Sequence, residues 1–279
     1  MMTTRPADRA SDPAAPAGVP VVALDRVDKV FANGMRGLEP IDLRIEPGEF
    51  VSLIGPSGCG KSTLLKLVSN LIQPMTGEIR WWGRDFDHVG EAGRRLAFVF
   101  QDPTLMPWAR VAANVRLPLE LAGTPANEIT ARVDAALAHV GLSKFARHFP
   151  RQLSGGMRMR TSIARALVTN PDVLLMDEPF GALDEFTRNK LDDDLVRLSV
   201  ERHLTTVFVT HSLYEAIFLS TRIVVMAAHP GRIFREFAVD EPPARSEEFR
   251  TSARFAQQCR ALSEILTAAA HASGDDEIA

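Results

Sequence analysis

Residues 50–63 read FVSLIGPSGCGKST. The first five form an apolar run of strand length, and KSTLLKLVS after the loop carries a helical period. Between strand and helix the text fits G-x-x-x-x-G-K-[ST]. Gly55, Gly60, Lys61 and Ser62 stand at the fixed places, and Pro56, Ser57, Gly58, Cys59 and Thr63 complete the loop. Glycines let backbone N–H groups turn inward around phosphate oxygens. The helix that follows directs the positive end of its dipole at the same anion. Lys61 has the reach for β- and γ-phosphates, and the Ser62 hydroxyl suits a Mg²⁺ ion. Cys59 reads as a small filler within the loop.

Outward from this loop, short apolar runs at 97–100, 173–176, 206–209 and 223–226 suit central strands covered on both faces. Residues 21–27 and 41–45 alternate apolar and polar side chains, as half-buried antiparallel strands do. Helical periods run through 61–69, 126–140, 157–168, 185–202 and 247–269. In the last of these, Phe249, Phe255, Leu262 and Leu266 are spaced for one face. A mostly helical stretch from about 103 to 168 interrupts the strand–helix alternation, so an α/β core with an inserted helical subdomain is expected.

The chain has 279 residues, of which 46% are hydrophobic and 24% charged, an ordinary globular balance. A net charge of −3 gives no basic excess for nucleic acid. Two cysteines, Cys59 and Cys259, cannot make a disulfide framework, which points to a reducing compartment. No apolar run approaches the ~18–20 residues that span a bilayer, so membrane association is expected only through a partner. The start of the chain has no apolar h-region of a secretory signal. Prolines at 6, 13 and 16 predict a disordered tail over residues 1–19. Residues 272–279 read as a frayed acidic end.

Two further motifs bear on phosphate chemistry. VLLMDEP, residues 173–179, ends a buried strand in two carboxylates. Ligands of open α/β sheets bind at the C-terminal ends of strands. There Asp177 suits a Mg²⁺-holding role, and Glu178 suits a base that polarises an attacking water. LSGGM, residues 153–157, opens the helix RMRTSIARAL. Ser154 is a helix-capping type, and Gly155 and Gly156 allow close approach to an anion. This is a second phosphate-seeking helix start, although one loop already serves that purpose.

GPSGCGKST, Gln101 in FVFQDP, LSGGM with RMRTSIARAL, VLLMDEP, GALD and VTH together resemble the ATPase subunit of an ABC transporter, over residues 21–240. The resemblance implies an α/β fold with a P-loop NTPase core, an N-terminal antiparallel β subdomain and an inserted α-helical subdomain, the ABC ATPase fold. It divides the chain into an ATPase domain over 20–240, with its helical subdomain at about 103–168, and a C-terminal helical extension over 241–271. The implied ligands are ATP and Mg²⁺. Phe31 matches the aromatic that stacks on adenine. Gln101 matches the glutamine that contacts Mg²⁺ and the attacking water. His211 matches the histidine that contacts the γ-phosphate, and Asp184 matches the aspartate that crosses a dimer interface.

In this family two such subunits pair head to tail, here as a homodimer. Ser154, Gly155 and Gly156 then act on the partner's ATP, which explains the second helix start. Met157 stands where Gln is usual in the signature, and this departure is expected to tune rather than abolish its function. The remaining partners implied are transmembrane permease subunits and, through them, an extracytoplasmic solute-binding protein. The place implied is the cytoplasmic face of the cell membrane. Met106, Pro107 and Trp108 match the region that cradles a helix of the permease. FQDPTLMPWARVAANVRLPLEL and DEPFGALDEFTR resemble the nitrate/sulfonate/taurine group of bacterial importers. An ABC exporter motor and a non-transport ABC ATPase are the alternatives. The single phosphate loop and the lack of long heptads disfavour translation and DNA-repair members.

Overall fold

The structure is a computed structural model and describes residues 18–91, 93–181, 183–241 and 245–273. Most of both expected tails, at 1–17 and 274–279, lies outside the described residues. In chain order the elements are β1 (Val22–Val30), β2 (Arg36–Ile45), β3 (Phe50–Ile54), α1 (Lys61–Val68), β4 (Glu78–Trp81), β5 (Leu96–Val99), α2 (Val111–Leu121), α3 (Ala126–His139) and α4 (Gly155–Leu167). They continue as β6 (Val173–Asp177), α5 (Glu185–Arg202), β7 (Thr205–Val209), α6 (Leu213–Leu219), β8 (Arg222–Ala227), β9 (Arg232–Ala238), α7 (Glu247–Arg250) and α8 (Ala253–His271).

Two sheets result. A small antiparallel sheet has the order β2-β1-β4. The larger has the order β5-β6-β7-β3-β8-β9, parallel except where β9 runs antiparallel along β8. Every residue of β3, β6 and β7 is buried, as the apolar runs require. Alternation along β3 divides two cores. Val51 and Leu53 face α1 and the small sheet, with Leu64, Leu67, Ile45 and Trp81. Phe50 and Ile54 face the other way, with Phe208, Ile217 and Leu262. All four loops that begin at the C-terminal ends of β3, β5, β6 and β7 therefore open on one edge of the sheet.

Several elements depart from the periodicities. The helix expected over 247–269 is two helices, because Ser252 starts a new one: its Oγ accepts the Phe255 N–H at 3.1 Å. Strands β4 and β9, and helices α2 and α6, had no clear pattern. Helix α2 contains Pro118, which disguises it. That helix is instead fastened through the fully buried Asn114. The Asn114 Oδ1 accepts the Met106 N–H at 2.7 Å, and its amide donates to the carbonyls of Met106, Ala109 and Arg110 at 3.1–3.2 Å. The loop at 106–110 is thus held rigidly against the helix start, while Trp108 on it is 77% exposed.

The C-terminal helices are clamped onto α5 by charge. Arg250 Nη2 sits 2.9 Å from Asp193 and 3.7 Å from Asp192, and its guanidinium lies 3.5 Å over the Phe218 ring. Asp192 is only 2% exposed. Burial, reinforced by the nearby Glu215 carboxylate, pushes its carboxyl up to about 8 despite Arg250. The native state therefore keeps a proton that the unfolded chain releases near its ordinary value, so folding loses stability as pH rises from about 4 through about 8. Asp192→Asn copies the protonated acid and should flatten that slope. Thermal melts between about pH 5 and about pH 9 should fall more steeply for wild type than for Asp192→Asn. Parallel curves would show that Asp192 is ionised throughout.

Candidate active site

The phosphate-binding turn is built by close approach. At Gly55 an added Cβ would lie 2.3 Å from the Met226 carbonyl oxygen, so the loop leaves β3 in contact with the end of β8. Gly60, the residue before α1, has φ 91°, and a Cβ there would meet Leu38 at 2.4 Å. Helix α1 has no acidic residue in its first turn and no side-chain cap. Its N-terminal dipole is therefore left for an anion from outside the chain.

Around this turn lies a cavity of about 520 Å³. Ser57, Gly58, Gly60, Lys61, Ser62 and Thr63 form one wall, with Phe31 and Glu178 at its margins. Met35, Arg36, Gly37, His229, Pro230 and Gly231 complete it. These six carried no phosphate signal in the sequence. Gly231 is the most telling, since a Cβ there would lie 2.4 Å from the Cys59 carbonyl and 2.7 Å from that of Gly37. It lets the β8–β9 turn, the phosphate loop and the start of β2 meet at one point.

Lys61 is buried, and its ammonium donates to the carbonyls of Gly55 and Pro56 at 2.8 and 2.9 Å. Cys59 Sγ lies 3.6 Å from the same nitrogen. Burial pushes the Cys59 thiol up, against the pull of Lys61. This is the behaviour of a packing residue, not a nucleophile. Ser62 Oγ donates to Asp177 Oδ1 at 2.9 Å. Burial raises the Asp177 carboxyl, the Ser62 hydrogen bond opposes that, and the neighbouring Glu178 adds to it. A divalent cation at this pair would relieve the same strain.

Glu178 follows directly but differs in every respect. Its φ is 45°, a left-handed conformation that costs a non-glycine residue about 1 kcal/mol. The turn is held because Glu178 N–H donates to the Val209 carbonyl at 3.0 Å, joining the end of β6 to β7. The carboxylate is aimed out of the sheet, with Oε2 at 3.4 Å from His211 Nδ1. Strained backbone at such a point belongs to sites where geometry has a task.

Lys61, Ser62, Asp177, Glu178 and His211 thus come together, and Phe31 borders the same space. Asp177 and His211 touch the lining residues Ser62 and Glu178 without lining the cavity themselves, and Gln101, Ser154, Gly155, Gly156 and Asp184 do not line it either. Gln101 is exposed on the loop after β5. Ser154 caps α4, its Oγ accepting the Met157 N–H at 3.2 Å. The Met157 side chain packs on the main core. Asp184 caps α5, accepting the Thr187 N–H at 2.9 Å, and that hydrogen bond holds its carboxyl below the usual range. Gly156 meets the Asp184 loop, since a Cβ there would lie 2.7 Å from Leu183. Among the described residues, no cluster of three or more His, Cys, Asp or Glu side chains could hold a metal by itself. Ser62 and Asp177 offer two oxygens, which fits Mg²⁺, an ion that keeps several waters and shares phosphate oxygens.

This arrangement defines a nucleotide-binding cassette of the P-loop kind. The profile of the ABC transporter family matches residues 38–181. An uncharacterized ABC transporter ATP-binding protein of Methanocaldococcus jannaschii is 40% identical over 246 residues, spanning 87% of this chain and 90% of that one. An aliphatic sulfonates import ATP-binding protein of Xanthomonas axonopodis pv. citri is 44% identical over 217 residues, spanning 77% and 85%. A solved dimeric ATP-binding cassette in a post-hydrolysis state, bound to ADP and Pi, has a TM-score of 0.71 at 34% identity, over 79% of this chain and 100% of that one. The chain belongs to the ABC transporter family, as an ATP-binding subunit with ATPase activity.

The steric argument at Gly55 is testable. Gly55→Ala forces a methyl against a backbone carbonyl that cannot swing away. It should destabilise the protein by about 1–3 kcal/mol and weaken ATP binding together. Unchanged melting and unchanged nucleotide titration would contradict the packing described.

Proposed function

We propose that the chain is the motor of a bacterial importer for a small solute such as nitrate, a sulfonate, taurine or a related compound. The observation that carries the catalytic part is the Ser62–Asp177 bond beside an outward-facing Glu178–His211 pair. The observation that carries the cargo is the 44% identity to a protein named for aliphatic sulfonates import.

In this reading Phe31 stacks on the adenine, and the loop amides with Gly55, Pro56, Ser57, Gly58, Cys59, Gly60 and Thr63 enclose the phosphates. Lys61 exchanges its two carbonyl partners for β- and γ-phosphate oxygens. Ser62, Asp177 and Gln101 hold Mg²⁺, which supplies charge neutralisation on the phosphates when bound. As the water oxygen bonds to the γ-phosphorus, the bond from that phosphorus to the β–γ bridging oxygen breaks and ADP leaves; Glu178 accepts the water's proton, and His211 contacts the γ-phosphate. Ser154, Gly155, Gly156 and Asp184 serve the ATP of a second copy. Among the described residues no helix is long and apolar enough to cross a membrane. Permease subunits hold the protein at the cytoplasmic face, with Met106, Pro107 and Trp108 against them, and deliver what a solute-binding protein captures.

Glu178→Gln keeps the shape and loses the proton acceptor. Turnover should fall ~10²–10⁴-fold while ATP binding survives, and the protein should collect as an ATP-bound dimer on size exclusion. Near wild-type turnover would remove Glu178 from the role.

Action in trans has its own test. Lys61→Ala and Ser154→Arg are combined in a controlled heterodimer, either on different chains or on the same chain. On different chains both lesions fall in one composite site and leave the other intact. On one chain each site is damaged, and lost donors of this kind are worth ~10²–10³ in rate. Higher residual ATPase activity is therefore expected with the lesions on different chains. The opposite ranking would sink the trans assignment.

A further inference from the structure

One buried carboxylate outside the nucleotide cavity holds both loops that flank Glu178. Glu215, in the first turn of α6, is 6% exposed. Its Oε2 accepts the Thr210 hydroxyl, and the Thr210 Oγ1 accepts the Ser212 N–H at 2.9 Å. Ser212 Oγ returns the contact by accepting the Glu215 N–H at 3.3 Å. Residues 210–212, which carry His211, are therefore folded around Glu215. Its other oxygen, Oε1, lies 3.3 Å from Arg188 Nε in an ion pair. Arg188 Nη2 in turn donates to the Leu183 carbonyl at 3.0 Å, one residue before Asp184. The path from the His211 loop to the Asp184 loop is thus two side chains long. Neither side chain reaches the phosphate cavity.

Burying the Glu215 charge is costly for packing alone, since Arg188, whose side chain is 28% exposed, offsets only part of the desolvation. Burial raises the Glu215 carboxyl, and Thr210 and Arg188 pull it back down. An apolar contact between α5 and α6 would serve packing as well. What it could not do is take a hydroxyl of one loop and, through a guanidinium, a carbonyl of the other.

We propose that Arg188 and Glu215 are a positioning pair for ATP hydrolysis, keeping the His211 loop and the Asp184 loop in one fixed relation beside Glu178. The pair rests on the reading of His211 as a γ-phosphate contact. Because it lies away from the cavity, it affects the geometry of the reacting groups and not the affinity for nucleotide.

Steady-state ATPase assays on the full chain test this. The variants are Glu215→Gln, Arg188→Met, the double variant, His211→Ala, and Glu215→Gln combined with His211→Ala. Glu215→Gln retains an acceptor for Thr210 and removes the charge facing Arg188. Its kcat should fall about tenfold with the KM for ATP within about twofold, since misplacement of reacting groups acts on the chemical step. The double variant should be no worse than the weaker single, because both remove one link. In the His211→Ala background, Glu215→Gln should cause no further fall.

A wild-type kcat in folded Glu215→Gln overturns the proposal. Multiplying effects in the double variant, or a full tenfold fall in the His211→Ala background, overturn it too. If Glu215→Gln does not fold, Arg188→Lys reads the same link, keeping the charge but losing the fork to Leu183; unchanged kcat there is equally fatal. Wild-type turnover in His211→Ala alone removes the underlying reading and the pair with it. An impaired His211→Ala beside an unaffected Glu215→Gln removes only the pair.

Discussion

The Ser62 hydroxyl donates to Asp177 at 2.9 Å across the width of β7, the strand that separates β3 from β6. Much of the site's division of labour follows from that bond. It occupies the deeper of two adjacent carboxylates and leaves the second without a partner from the phosphate loop. The left-handed turn at Glu178, held by the Val209 carbonyl, then points the second carboxylate toward His211 instead. Two neighbours in sequence thereby come to differ in burial, partners and direction. The bond also registers the loop after β3 against the end of β6, two positions away in the sheet. Any slip of α1 along the sheet would break it.

The sheet's interior was legible because its chemistry is one-sided. Strands covered on both faces need uninterrupted apolar runs, and FVSLI and VLLMD supply them. Edge strand β9 carries Arg232 on a half-buried position and Arg235 and Glu236 on exposed ones, so RIFREFA shows no such run. Helix α6 is seven residues long, too short for a period to declare itself. Pro118 breaks the reading of α2 without breaking the helix. The phosphate loop and the two carboxylates were legible because their spacing is local. The wall supplied by His229, Pro230 and Gly231 was not, since the need for glycine at 231 arises from carbonyls of Gly37 and Cys59. No pattern within one stretch of sequence encodes a contact between three.

Ser154 and Asp184 illustrate how one side chain can answer two demands. Each caps its own helix, so each would be retained by the needs of a single chain. Yet both leave their helix starts close together, with Gly156 packed against Leu183. Capping fixes the orientation of these two loops before any partner arrives. In the proposed dimer, the capping bond within one chain would also hold each residue in place for the second copy.

A buried amide decides the character of the surface around Trp108. The four hydrogen bonds of Asn114 draw Met106, Ala109 and Arg110 onto the start of α2 and leave the indole standing outward. A large aromatic on a slack loop would surrender much conformational freedom on being covered. Here the backbone on either side of it is already immobilised, so the entropy that docking consumes has been removed during folding. The indole stands outward from a backbone held on both sides. In the proposed complex, motion of the permease at this surface would reach α2 through a backbone already tied to it, rather than be absorbed by a slack loop.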